Sequence, residues 1–342
     1  MSDAQQSRCW VGFDLGGTKM LTAVYDADFQ PLARERKKTK GHEGAEAGLE
    51  RIVQTIRKTL EQAGVSRDRL AGIGVGCAGP LDIDRGILYN APNLGWTDVR
   101  IKETLEKQFG CPVVIANDVD VGVYGEYCFG AAKYARCVLG VFPGTGIGGG
   151  LVYQGRIFRG RKSSCMEIGH IQVMPDGPLC GCGNYGCLEA VASRLAVSAA
   201  AAQAAFRGQA PHVLAEAGTD LANIRSGVLA SAIQQGDRVV EQIVRTAARH
   251  IGTAVAGVIH LLAPDVIVLG GGLVEAMPDL YLDGVEQAAR DRVLPSFKKS
   301  FKVVAAKLGD DAIILGAAAW VRQLASADGK PAVVAIPNAV TL

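Results

Sequence analysis

Residues 9–25 read CWVGFDLGGTKMLTAVY, and residues 137–153 read CVLGVFPGTGIGGGLVY. In each, an apolar run meets a glycine turn and a second apolar run follows, which is the pattern of strand, turn, strand. Glycine lets such a turn bring bare amides close to a ligand, and the hydroxyls of Thr18 and Thr145 add groups that meet phosphate oxygens. Asp14 ends the first strand, where a carboxylate orients hydrated Mg²⁺. One DLGGTK alone reads equally well as a plain hairpin. Its repetition points to a duplicated α/β architecture with one phosphate-contacting hairpin per half. Neither turn is a Walker P-loop, because the G-x4-G-K-[ST] spacing is absent.

The segments around the hairpins complete an alternation of helices and strands. Leu49, Ile52, Val53, Ile56 and Leu60 fall on one helical face, ending at Gly64. Leu70 to Val75 reads as a strand running into the glycine-rich GCAGPLD, and Gly110 to Ala116 as one running into Asn117-Asp118. Polar residues at the tip of a buried strand are where open α/β sheets place ligands, so Asp118 is a candidate general base. The alternative is a helix N-cap, a role for which Asp120 competes. Val239 to Leu262 reads as a buried helix ending before Pro264, and Val266 to Leu269 as a strand entering Gly270, Gly271 and Gly272. Ile313 to Gly316 reads as a last short strand and Ala317 to Leu324 as a helix. The tail beyond Ala325 reads as a surface extension without chemistry.

His170 to Glu189, HIQVMPDGPLCGCGNYGCLE, carries an imidazole and three thiols in the pattern H-x9-C-x-C-x4-C. His170, Cys180, Cys182 and Cys187 form a Cys3His set that suits tetrahedral Zn²⁺ with every position filled by protein, hence a structural ion. Ordinary cysteines in a glycine-rich loop are the alternative. Three of the nine cysteines within so short a span, spaced by Gly, Asn and Tyr, argue against that. Cys9, Cys77, Cys111, Cys128 and Cys137 lie in apolar or small-residue settings and read as buried, inert thiols.

The whole chain sets the bounds. Its 342 residues allow two domains; 49% hydrophobic and 20% charged residues, with mean hydropathy +0.17, describe a globular protein. A net charge of +2 gives no broad basic surface, and no basic helix follows the cysteines, so composition supports neither nucleic acid nor an acidic membrane as partner. No stretch reads as a signal peptide or membrane span, which leads to the expectation of a cytoplasmic protein with reduced thiols.

Taken together, DLGGTK, GVGCAGPLD, APNLGW, NDVDVGVYGE, PGTGIGGG, EIGH, CGCGNYGCLE and LGGG resemble, in order and spacing, the ROK family of sugar kinases and regulators within the actin-like ATPase group. The resemblance runs from Phe13 to about Ala319. It implies an α/β, two-domain actin-like ATPase fold with duplicated ribonuclease-H-like halves and an active-site cleft between the domains. The expected smaller domain is 1–117 plus 317–342, and the larger is 118–316 with the zinc site.

The resemblance also implies roles. Asp118 would be the catalytic base, and Gly79, Asn93, Asn117, Glu167, His170 and Glu189 would contact the sugar. Asp14, Gly16, Gly17, Thr18 and Lys19 would form the first phosphate motif and Gly144, Thr145 and Gly146 the second, with Gly270 to Gly272 at the adenosine. The expected activity is transfer from ATP with Mg²⁺ to a hexose, glucose first, with N-acetylmannosamine, fructose or another hexose as alternatives and polyphosphate as an alternative donor. A homodimer or homotetramer is implied. The family also holds sugar-responsive repressors with a helix-turn-helix ahead of the first glycine motif; only thirteen residues precede Asp14, which argues against that. A non-catalytic sugar-binding regulator is the remaining alternative. Two departures stand out: Ser164-Cys165-Met166 precedes Glu167 where the family has small residues, and Ala78 replaces the usual Pro.

Overall fold

The computed structural model describes residues 8–91, 94–161 and 164–326. The chain divides into two compact units, Met1–Arg136 with Gly150–Cys165 and Lys307–Leu342, and Cys137–Gly149 with Met166–Ala306. The boundary expected at 117/118 falls inside the first unit.

In the first unit, β1 (Cys9–Leu15), β2 (Lys19–Tyr25), β3 (Pro31–Lys38) and β4 (Leu70–Cys77) precede a small three-stranded sheet of β5 (Leu81–Asp82), β6 (Ile87–Ala91) and β7 (Trp96–Arg100). With β8 (Val113–Asn117), the main sheet has the order β3-β2-β1-β4-β8. The β1, β2 and β3 strands are antiparallel neighbours, whereas β4 runs parallel to both β1 and β8. Asp14 pairs with Gly76, and Cys77 with Asn117, so the polar ends of three parallel strands lie at one edge.

Side chains alternate across this sheet as strand geometry requires. Cys9, Val11, Phe13 and Leu15 join one core with Ile52, Val53, Ile56 and Leu60 of α1 (Ala45–Gln62) and Ile101 and Leu105 of α2 (Ile101–Phe109). Trp10 faces the other way, onto Ile314, Ala318 and Val321 of the C-terminal helix Asp311–Ala325.

Ile313 to Gly316 therefore belongs to that helix and is not a strand. Three apolar residues and a glycine are too few for periodicity to separate the two states. Packing decides instead, because the helix backbone lies directly on glycines. A Cβ at Gly12 would stand 1.8 Å from Ile314 O, one at Gly74 1.9 Å from Ala317 O, and one at Gly316 1.7 Å from Val121 O of α3 (Asp118–Cys128). Glu126 of α3 is buried, and its carboxylate accepts from the amides of Lys307 and Leu308 at 2.8 Å each and of Ala131 at 2.7 Å. Three amide donors offset the cost of burying that carboxylate.

The second five-stranded sheet contains β9 (Cys137–Pro143), β10 (Ile147–Tyr153), β11 (Arg156–Ile157), β12 (Val266–Leu269) and β13 (Lys302–Ala305), in the order β11-β10-β9-β12-β13. This repeats the third-second-first-fourth-fifth order of the first sheet, with β12 parallel to β9 and β13. Its helices are α4 (Leu188–Ala192), α5 (Arg194–Phe206), α6 (Pro211–Ala217), α7 (Ser226–Gln234), α8 (Arg238–Leu262), α9 (Gly272–Ala276) and α10 (Pro278–Arg292). Val240, Val244, Ala248, Ile251, Val255 and Ile259 form the buried stripe of α8, and Gly252 lets it approach Val285 of α10.

The glycine contacts predict opposite effects for the same substitution. Gly74→Ala should lower stability by about 3 kcal/mol or more, through overpacking against backbone that cannot rotate away. Gly257→Ala, on the exposed side of α8 with nothing within 4 Å, should raise it by about 0.5–1 kcal/mol. Urea unfolding midpoints check both, and an unchanged midpoint for Gly74→Ala would contradict the packing.

Candidate active site

The first unit gathers one set of site residues. Asn117 caps α3, its side-chain oxygen accepting from Val119 N at 2.9 Å and Asp120 N at 3.3 Å. Neither Asp118 nor Asp120 takes the capping role. Asp118 becomes the first helical residue, half-buried, with its Oδ1 3.0 Å from Val119 N. Asp120 is buried instead and accepts from Ser164 Oγ at 2.6 Å, which fastens the segment ahead of Met166.

Asp14 lies in the field of two further carboxylates. Burial first, then the charges of Asp118 and Asp310, push its pKa up to about 7, with Arg36 opposing them. Arg36 also donates to Asp310. Such a concentration of negative charge favours a divalent cation. Neither Asp310 nor Arg36 stood out in the sequence, since both belong to ordinary charged surroundings there.

The turn after Asp14 is held from outside. Thr39, fully buried, donates its hydroxyl to Gly16 O at 2.7 Å and its amide to Thr18 O at 2.9 Å. Gly17, Thr18 and Lys19 are exposed. Gly79 has φ +114, and a Cβ there would meet Asn90 O at 2.6 Å, so this position requires glycine. Asn93 lies outside the described residues.

The second unit gathers the other set. Its glycine turn closes through Gly144 N to Gly146 O at 2.8 Å. Glu189, in the first turn of α4, accepts from Ile147 N at 2.9 Å, and Arg194 grips the other side, donating its amide to Gly144 O and its Nη2 to Thr145 Oγ1, each at 2.9 Å. Gly271 has φ +84 and caps α9, while a Cβ at Gly270 would strike Phe142 at 2.4 Å. Gly272 lies beside Ser226. Arg194, Leu195, Leu221, Ala222, Arg225 and Ser226 line a cavity of about 600 Å³ that thus adjoins both the second and third glycine motifs. Nothing in the sequence marks this wall, because arginines and leucines at helix starts and in turns carry no motif.

His170, Cys180, Cys182 and Cys187 converge, their ligand atoms all within 4.8 Å of one another. His170 Nδ1 is 3.7 Å from Cys180 Sγ, and Cys182 Sγ is 3.7 Å from Cys187 Sγ. A tetrahedral ion with Zn–S of about 2.3 Å and Zn–N of about 2.0 Å spaces its ligand atoms about 3.5–3.8 Å apart, so the set fits such an ion. The Asn184 amide holds the Cys182 thiol down to about 7, while desolvation raises that of Cys187. Glu189 Oε1 lies 3.9 Å from Cys180 Sγ, linking this cluster to the glycine turn.

Glu167 is exposed and opens the turn Ile168–His170, its carbonyl accepting from His170 N at 3.0 Å. Met166, just before it, has φ +62, a left-handed conformation that costs a residue with a Cβ about 1–2 kcal/mol. A glycine would be unstrained there. The methionine therefore occupies a place whose backbone favours glycine.

The chain is similar to known proteins over most of its length. The ROK family model matches residues 10–324, and the chain belongs to the ROK family. A glucokinase of Thermotoga maritima is 33% identical over 315 residues, covering 92% of this chain and 97% of the relative. The structure of a ROK family glucokinase from Streptomyces griseus in complex with glucose and AMPPNP superposes with a TM-score of 0.78 at 33% identity, covering 92% of this chain and 99% of that one. A ROK family transcriptional regulator, a homologue of the E. coli MLC protein, gives a TM-score of 0.81 at 25% identity, covering 94% and 79% of the respective chains. The chain has the α/β, two-domain actin-like ATPase fold expected from its motifs.

Asp14 yields a pH test. Its pKa is raised from an unfolded value near 3.8 to about 7, so its contribution to stability is full below the lower value and is lost as pH rises through about 7. Asp14→Asn should match the wild type near pH 4 and melt higher at pH 8 in metal-free buffer. An equal difference at both pH values would contradict the assigned burial.

Proposed function

We propose that the chain is an ATP-dependent hexose kinase that phosphorylates glucose in preference to N-acetylmannosamine, fructose or other hexoses, with Asp118 as general base. The observation that carries the reading is the Asp118 carboxylate at the tip of β8, relieved of capping by Asn117 and beside the field of Asp14. The likeness to a glucokinase holding glucose and AMPPNP supports it.

In this mechanism Asp118 accepts the proton of the sugar hydroxyl as that oxygen attacks the γ-phosphorus of ATP. The bond from that phosphorus to the bridging oxygen breaks, and ADP leaves. Bound Mg²⁺ supplies neutralisation of phosphate charge, with Asp14 as the residue that would hold it. The remaining work is alignment. The amides and hydroxyls of Gly16 to Thr18 and of Gly144 to Gly146 receive phosphate oxygens, Lys19 adds a cation, and Gly270 to Gly272 form bare backbone for the nucleoside. Gly79, Asn93, Asn117, Glu167, His170 and Glu189 answer sugar hydroxyls, each of which donates and accepts. Leaving one hydroxyl unpaired costs about 1–3 kcal/mol, enough to select among hexoses.

Zn²⁺ fits the Cys3His cluster, and His170, Cys180, Cys182 and Cys187 would hold it for shape. With those thiols deprotonated, Cys180 keeps no S–H for Glu189, whose Oε1 is left for a sugar hydroxyl. The apolar walls Leu195 and Leu221 favour a nucleoside triphosphate over polyphosphate as donor. The reading includes a cytoplasmic protein and a homodimer or homotetramer.

An ATP-consumption assay across a panel of hexoses tests the activity. Glucose should be turned over fastest, and Asp118→Asn should lower kcat by about 10²–10⁴ with sugar affinity retained. Wild-type kcat in the Asp118 variant would remove it from the mechanism. Sugar binding without turnover of any hexose would favour a non-catalytic regulator.

A further inference from the structure

The grip of Arg194 on the second glycine turn goes further than the motifs do. Its backbone amide holds Gly144 O and its Nη2 holds Thr145 Oγ1, each at 2.9 Å. A guanidinium offers five N–H groups in a planar fork, and one hydroxyl uses only one of them. Among the described residues no carboxylate forms an ion pair with Arg194. The same holds for Arg225, on the same cavity of about 600 Å³, whose Nε donates to Ala222 O at 3.3 Å. Two cations without acidic partners thus line one cavity whose remaining walls include the exposed side chains of Leu195 and Leu221. Cations beside apolar walls form a site for a ligand with both a phosphate chain and a flat apolar body.

We infer that Arg194 is a donor-binding residue: its fork is shared between Thr145 Oγ1 and a phosphate oxygen of the nucleotide, with Arg225 adding a second positive charge across the cavity. The kinase proposal supplies the identity of the donor, and this inference rests on it to that extent. Holding Thr145 also fixes the hydroxyl's direction, so loss of Arg194 removes one phosphate contact and loosens another. Charge-assisted, planar recognition of phosphate is the task for which lysine is the poorer substitute.

Calorimetric titration of Arg194→Ala, Arg194→Lys and Arg225→Ala with ATP, ADP and adenosine, each in the absence of sugar, tests this. Arg194→Ala should weaken ATP and ADP by about tenfold or more and leave adenosine unchanged, since only the phosphates meet the guanidinium. Arg194→Lys should recover part of the loss. Arg225→Ala should show a smaller loss of the same kind. In steady state, KM for ATP should rise more than kcat falls, while KM for sugar stays. ATP affinity within twofold of wild type in Arg194→Ala would overturn the inference. An equal loss for adenosine and ATP would also overturn it, by showing a structural role. A wild-type chain that binds ATP yet phosphorylates no sugar would sink the kinase reading alone, because the binding comparison stands without turnover.

Discussion

Glu189 sits between two pieces of chemistry in the second unit. One oxygen accepts the Ile147 amide at 2.9 Å, fixing the end of the glycine turn, and the other faces Cys180 Sγ at 3.9 Å. A Cβ at Gly146 would fall 2.2 Å from the first oxygen, so the turn and the carboxylate must be built together. The loop that carries Cys180, Cys182 and Cys187 thus sets the position of Glu189, and through it the shape of the turn assigned to phosphate. A closed Cys3His site is suited to this because it fixes a loop that has little secondary structure of its own.

In the first unit a buried threonine does the corresponding work on the glycine turn. Thr39 reaches across from beyond β3 and pins the carbonyls of Gly16 and Thr18, leaving the turn exposed but shaped. Its partner feature is electrostatic. Asp14 carries a pKa of about 7 because it is desolvated and faces the charges of Asp118 and Asp310. Bound Mg²⁺ would relieve that repulsion, so the site is strained in a way that its ligand removes.

The repeated hairpin made the duplication legible, and both sheets adopt the same strand order. The apolar run of β1 and the apolar stripe of α8 were equally readable, because local sequence determines them. The C-terminal helix was read only in part. Its first turns, Ile313 to Gly316, look strand-like until the glycines of β1 and β4 are seen to receive a helix backbone. The convergence of His170 with the cysteines followed from spacing. The capping by Asn117, the clasp by Thr39 and the grip of Arg194 on Gly144 and Thr145 did not, since each depends on contacts that single-residue identity does not encode. Met166 stood out in the sequence by its bulk, and its φ of +62 adds that the backbone there favours glycine.

In the proposed mechanism the Cys3His cluster is a scaffold for recognition and the proton transfer falls to Asp118. Metal analysis followed by chelation tests that division most directly. One Zn²⁺ per chain is expected, and its removal should raise KM for both sugar and ATP and lower the melting temperature, all restored by added Zn²⁺. A metal-free protein with unchanged KM values and an unchanged melting temperature would contradict it.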